Sequence, residues 1–129
     1  MVIGGYSAGG SAAARLAFAH PTVFGNVLSQ SGAFGSTLET NALILSYRDG
    51  ARAAVRFYLD VGLFENLPFA LPAHELALSE GLTAGNRHFR DVLIAKGYDV
   101  TYRETGGAHN NLHFRATFAE ALLTLLAAK

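Results

Sequence analysis

The 129 residues include no cysteine, which excludes disulfide bonds and thiolate metal sites and leaves the redox environment open. Charge is scarce too: 10 Lys and Arg balance 10 Asp and Glu, for a formal net charge of zero. The basic residues are mostly single arginines, with no basic run and no aromatic ladder, so no nucleic-acid partner is expected. No apolar stretch is long enough to span a bilayer, since Ala116 to Ala128 is short and interrupted by Glu120, so no membrane partner is expected. Met1 leads straight into the apolar Val2-Ile3, from which no signal peptide is expected and a cytoplasmic location is favoured. Internal repeats, low-complexity tracts and linkers are missing as well. What remains is 50% hydrophobic and of single-domain length, enough to bury a core.

Against that plain background, Gly5-Tyr6-Ser7-Ala8-Gly9 stands out. G-x-S-x-G is the pattern of a nucleophile elbow, in which a strand enters a sharp turn, a serine sits at the apex and a helix follows. Val2-Ile3 supplies an apolar strand end, and the Ala-rich Ser11 to Ala19 supplies the helix. The glycines leave the turn free of side chains beside the serine. Gly4 and Gly9 also have the spacing of a phosphate loop, but Gly10 stands where that motif needs Lys, so no cation would meet a phosphate.

Along the chain, apolar runs alternate with helical patterns, which predicts an α/β architecture with a parallel sheet. Strands are expected over Val2 to Tyr6, Asn26 to Ser29, Arg56 to Val61 and Tyr98 to Glu104. Helices are expected over Ser11 to Ala19, loosely over Thr40 to Arg52, over a short Pro72 to Glu80, and over Asn86 to Lys96, where Phe89, Val92, Leu93 and Ala95 form a stripe ended by Gly97. A last helix spans Phe114 to Ala128, with Phe118, Leu122 and Leu125 on one face.

A serine needs a histidine to take its proton, and the histidine needs an acid to fix its tautomer. In α/β-hydrolases these follow in the order Ser, acid, His, each just past a strand end. Of 5 histidines, His20 sits at a helix end and His74 and His88 lie in helical patterns. His109 and His113 remain, and Gly106-Gly107-Ala108-His109, a loop after a strand, is better placed than a residue entering a helix. Asp60 and Glu65 flank the end of the third strand; Glu65 is favoured because it lies in the loop.

Gly4 to Gly10, His20-Pro21 to Phe24-Gly25, Leu28-Ser29-Gln30-Ser31-Gly32, Asp60 to Glu65, Asn86 to Gly97, and His109-x-x-Leu112-x-x-Arg115 form a further pattern. Together they resemble the C-terminal half of the enterobactin-esterase-like group, in the esterase D branch of the α/β-hydrolases. Feruloyl esterases and S-formylglutathione hydrolases are relatives of that group. The resemblance implies Ser7 as nucleophile, His109 as base, Glu65 as acid and the backbone N–H of Ala8 as one oxyanion donor. Ala108 departs from the Gly that usually precedes the histidine, and Asn110 from the Asp that follows it.

The resemblance further implies a truncated α/β-hydrolase half-domain over residues 1–129, beginning at the elbow strand, with about four mainly parallel strands and flanking helices. Its expected activity is that of a serine carboxylesterase on small acyl esters, through an acyl-enzyme, with no cofactor and no metal. The loop giving the second oxyanion donor lies outside such a half, and losing one donor costs about 10²–10³ in kcat, so a slow enzyme is expected. The alternative is a catalytically inactive half-domain serving as an interaction module. The unblunted edge Val2-Ile3 adds the expectation of a homo-oligomer paired through the elbow strand.

Overall fold

The computed structural model describes residues 1–65 and 81–127. The short helix expected over 72–80, with His74, falls outside them. The described chain runs β1 (Val2–Tyr6), α1 (Ala8–Ala19), β2 (Asn26–Gln30), α2 (Leu38–Asp49), β3 (Arg56–Gly62), α3 (Leu82–Ala95), β4 (Asp99–Thr105) and α4 (Asn111–Leu126). The four strands form one sheet in the order β1-β2-β3-β4, all parallel, with Ile3 beside Val27, Val27 beside Phe57 and Phe57 beside Val100. Because every strand points the same way, all four carboxyl ends share one rim, where sites form in open parallel sheets.

The two sheet faces are covered unequally. On one, α1, α2 and α3 enclose the larger core, built from Ala13, Ala14, Ala17, Val27, Phe34, Ile44, Phe57, Leu59, Phe89 and Leu93. Tyr47 sits at its centre, edge-on to Phe57, Phe89 and Tyr98, and its hydroxyl donates to the Ala14 carbonyl at 2.7 Å. Burial raises the Tyr47 pKa, so the hydroxyl stays a donor. Helix α1 comes this close because its inner face is small: a Cβ on Gly10 would overlap the Ser29 hydroxyl.

On the other face α4 is the only described helix, laid over Leu28 and Tyr58 with Ala121 and Leu125. The sheet grips it by polar bonds at both ends. The Gln30 amide donates to the Phe114 carbonyl and the Thr117 hydroxyl, each at 2.7 Å. Near the other end Arg56 donates to the carbonyls of Thr124, Leu125 and Ala127, which have no acceptor role left inside the helix. Beside α4 a cavity of about 610 Å³ is left over β1 and β2, lined by Tyr6, Leu28, Gln30, Phe114, Arg115 and Phe118.

The strands match the sequence expectation to within a residue at each end. Strand β3 is buried on both faces, Tyr58 and Asp60 included, because α4 covers the second one. One burial expectation changes. Phe118 is exposed rather than part of the core stripe, since the α4 residues that face the sheet are Ala121 and Leu125.

Candidate active site

Strand β1 delivers Ser7 to the rim in a backbone conformation that L-residues rarely adopt, φ 56° and ψ −126°. The turn is held from both sides. Ser7 N–H donates to the Gln30 carbonyl at 3.0 Å, while the Ser7 carbonyl accepts from Gly10 and Ala33, each at 3.0 Å. Gly5 is required because an added Cβ would stand 2.6 Å from the carbonyl carbon of Gly9. Gly9 itself has open space around it, so the steric expectation holds for Gly5 and Gly10 and not for Gly9.

Ser7 also occupies the N-cap of α1, where a serine hydroxyl ordinarily caps the first turn. Here it makes no such bond. Its Oγ lies instead 3.0 Å from His109 Nε2. The N–H of Ala8, in that uncapped first turn, lies at the positive end of the helix.

His109 comes from the loop between β4 and α4, and its Nδ1 lies 2.6 Å from Glu65 Oε1. Glu65 belongs to the loop after β3, and its side chain is 2% exposed against 29% for His109. The other carboxylate oxygen accepts from the Ser31 hydroxyl at 2.7 Å and from Gly62 N–H at 2.6 Å. With both oxygens engaged, the remaining direction of Oε1 favours the tautomer in which His109 donates from Nδ1–H. Nε2 is then an acceptor for the Ser7 hydroxyl.

Ser7 and Ser31 are the two non-glycine residues at positive φ among the described residues, and both lie on this rim. Strain held in place by surrounding bonds is a feature of functional sites. Sequence reading passed over Ser31, which falls in the polar run after β2, and Thr83, whose hydroxyl donates to the Gly62 carbonyl at 2.9 Å. It noted Asn110 only as a departure. Asn110 is the N-cap of α4, its side chain accepting from His113 N–H at 3.0 Å. Asn is among the preferred capping residues, so this signal was available.

The candidates not favoured from sequence lie together behind the loop. Asp60 and His113 are both buried, with Nε2 3.4 Å from Oδ1. His20 and His88 are exposed.

A parallel sheet with a strained serine at the end of β1 and an acid and a histidine brought to the same rim defines the chain as an α/β-hydrolase fold. The family model described as Putative esterase matches residues 1–125, and the chain belongs to that family. Among solved structures it is similar to the enterobactin esterase of Shigella flexneri crystallised in the presence of enterobactin, with 25% identity, TM-score 0.76, and 96% of this chain against 29% of that one. It is similar to the ferric enterobactin esterase of Salmonella typhimurium at 25% identity and TM-score 0.71, again 96% against 29%. A ferulic acid esterase shares the fold at 16% identity and TM-score 0.72, over 96% of this chain and 49% of that one. The chain thus spans about 30% of the length of the enterobactin esterases it matches. No curated protein matches it significantly.

Proposed function

We propose that this chain is a serine carboxylesterase that hydrolyses small acyl esters through Ser7, His109 and Glu65. The observation that carries the reading is the continuous relay from Ser7 Oγ to His109 Nε2 at 3.0 Å and from His109 Nδ1 to Glu65 at 2.6 Å. Family membership supports the same reaction class.

The chemistry follows from those contacts. As Ser7 Oγ attacks the ester carbonyl, its proton passes to His109 Nε2 and the carbonyl π electrons move onto oxygen. Glu65, held at the Nδ1 edge of the ring, stabilises the imidazolium. The tetrahedral oxyanion is met by the Ala8 N–H at the helix N-terminus. Collapse breaks the bond to the alkoxy group, which leaves as alcohol with the proton from His109. Water then repeats the sequence on the acyl-Ser7 ester, giving up its proton to His109 and releasing the acid.

The test combines labelling with turnover. A fluorophosphonate should modify Ser7, and p-nitrophenyl acetate should be hydrolysed, with Ser7→Ala abolishing both. A folded chain that does neither would replace this reading with that of a non-catalytic interaction module.

A further inference from the structure

A carboxylate in apolar surroundings is costly, because the anion loses its hydration and must recover it in hydrogen bonds. Asp60 is fully buried, and neither of its oxygens has a well-formed hydrogen bond among the described residues. Burial pushes its carboxyl up, opposed by Thr117, His113 and Gln30 beside it. Its partner in the pair, His113, lies in the first turn of α4 and is equally buried. The proposed reaction uses neither residue. A pair of apolar side chains of the same volume would fill such a space at no greater cost.

The other edge of the His113 ring leads to the catalytic loop. Its Nδ1 lies 3.2 Å from the Thr105 hydroxyl, and that hydroxyl accepts Gly107 N–H at 3.2 Å. One assignment uses every atom: Thr105 donates to Nδ1 and accepts from Gly107, leaving Nε2–H to face Asp60. Gly107 lies against the ring so closely that a Cβ there would overlap Nδ1 and stand 2.8 Å from Cγ. The backbone N–H of His113 donates to Asn110. Thr105 and Gly107, which lead into His109, rest on the His113 ring, while Asn110 after it caps α4 at the His113 backbone N–H. The imidazole of His109 must meet Ser7 on one edge and Glu65 on the other, and a misplacement of about 1 Å in such a site costs on the order of 10²-fold.

We propose that Asp60 and His113 are positioning residues: the buried pair, acting through Thr105 and Gly107, holds the loop that presents His109 to Ser7 and Glu65. The kinetic consequence rests on the esterase reading above. The geometric consequence, an intact His109–Glu65 hydrogen bond, does not.

The experiment uses the full chain with Thr105→Val, Thr105→Ser and His113→Gln, and takes two readouts. One is the low-field proton resonance of the His109 Nδ1–H held by Glu65, assigned by its loss in His109→Gln. The other is kcat and KM for p-nitrophenyl acetate. Thr105→Val keeps the side-chain shape without the hydroxyl, and should lower kcat about tenfold with little change in KM while displacing or broadening the resonance. Thr105→Ser, which returns the hydroxyl, should restore both. His113→Gln should lower kcat by about 10- to 100-fold with the same spectral change. Should His113→Gln fail to fold, the two Thr105 variants, which leave the buried pair in place, carry the test. If the native chain turns over no ester, the esterase reading fails, and the resonance alone decides this one. Variants that lose melting temperature while keeping both the native resonance and the native kcat, or the native resonance where there is no turnover to lose, would overturn it.

Discussion

Glu65 with His109, and Asp60 with His113, are two acid–histidine pairs, each taking its acid from β3 or the loop after it and its histidine from the β4–α4 loop or the first turn of α4. In the first, the carboxylate has both oxygens hydrogen-bonded and sits 2.6 Å from an imidazole that is 29% exposed. In the second, the separation is 3.4 Å, the side chains are 4% and 0% exposed, and the carboxylate has no well-formed hydrogen bond among the described residues. The difference is one of address. Glu65 and His109 occupy loops beyond β3 and β4, where side chains can turn over the rim, so that His109 still reaches solvent while Glu65 is buried behind it. Asp60 lies within β3 and His113 within α4, so the packing of helix on sheet decides where they point. In the roles proposed above, the same two chemical groups form a relay in one setting and a support in the other.

The sharpest way to break this comparison is to delete each histidine. His109→Ala and Ser7→Ala should each reduce ester hydrolysis by about 10⁴ or more, because the members act as a unit. Their thermal unfolding should barely move, His109 being partly exposed. Exchanging the acids comes next. Glu65→Gln should cost on the order of 10³–10⁴ in kcat, the scale of a lost tautomer-fixing acid. Asp60→Asn, acting only through the loop, should cost about tenfold. If Asp60→Asn proves the more damaging of the two in a folded chain, the roles assigned to the pairs are reversed.

Much of the open pair was legible in the sequence, and little of the buried one. The elbow announces itself because a strained turn tolerates few residues at Gly5, Ser7 and Gly10. His109 and Glu65 could be preferred because loops after strands carry catalytic groups in this fold. Helix starts were less legible. Helix α1 begins at Ala8, within the elbow's own small residues, and α3 begins at Leu82 after Gly81, which has φ 80° and offers no capping side chain. The pairing of Asp60 with His113 depends on α4 crossing β3 on one particular face. No local pattern encodes that crossing. A polar residue inside an apolar strand was the one hint, and it was equally compatible with a capped turn.

Stability should separate the pairs in the opposite sense to activity. His113→Ala removes a buried ring and leaves Asp60 and Thr105 facing a void, a change in the range of about 2–3 kcal/mol. His109→Ala should cost less than about 1 kcal/mol, as expected of a partly exposed loop residue. Urea titrations of the two variants beside the native chain give both values. Equal losses would mean that His113 is no more a part of the packed structure than His109.

The smallest expected effect is a slope rather than a loss. Burial raises the Asp60 carboxyl above the ordinary carboxylate range. The folded protein therefore holds this proton to higher pH than the unfolded chain does. Stability associated with the protonated form is complete below the unfolded value and is lost as pH rises through the folded one. Asp60→Asn carries no such proton, so the native chain should lose ground to the variant as pH rises from the ordinary carboxylate range upward. For one group the slope cannot exceed about 1.4 kcal/mol per pH unit. Taking the difference between the two proteins at each pH cancels the carboxylates they share, among them Glu104, which Arg87 holds down at about 2. Denaturant unfolding of both proteins across the acidic range measures it. A difference that runs the other way, with the native chain gaining on the variant as pH rises, would show that His113 holds Asp60 as a stabilised anion. The buried pair would then be built around a charged carboxylate, and the proton assigned here to Asp60 would be wrong.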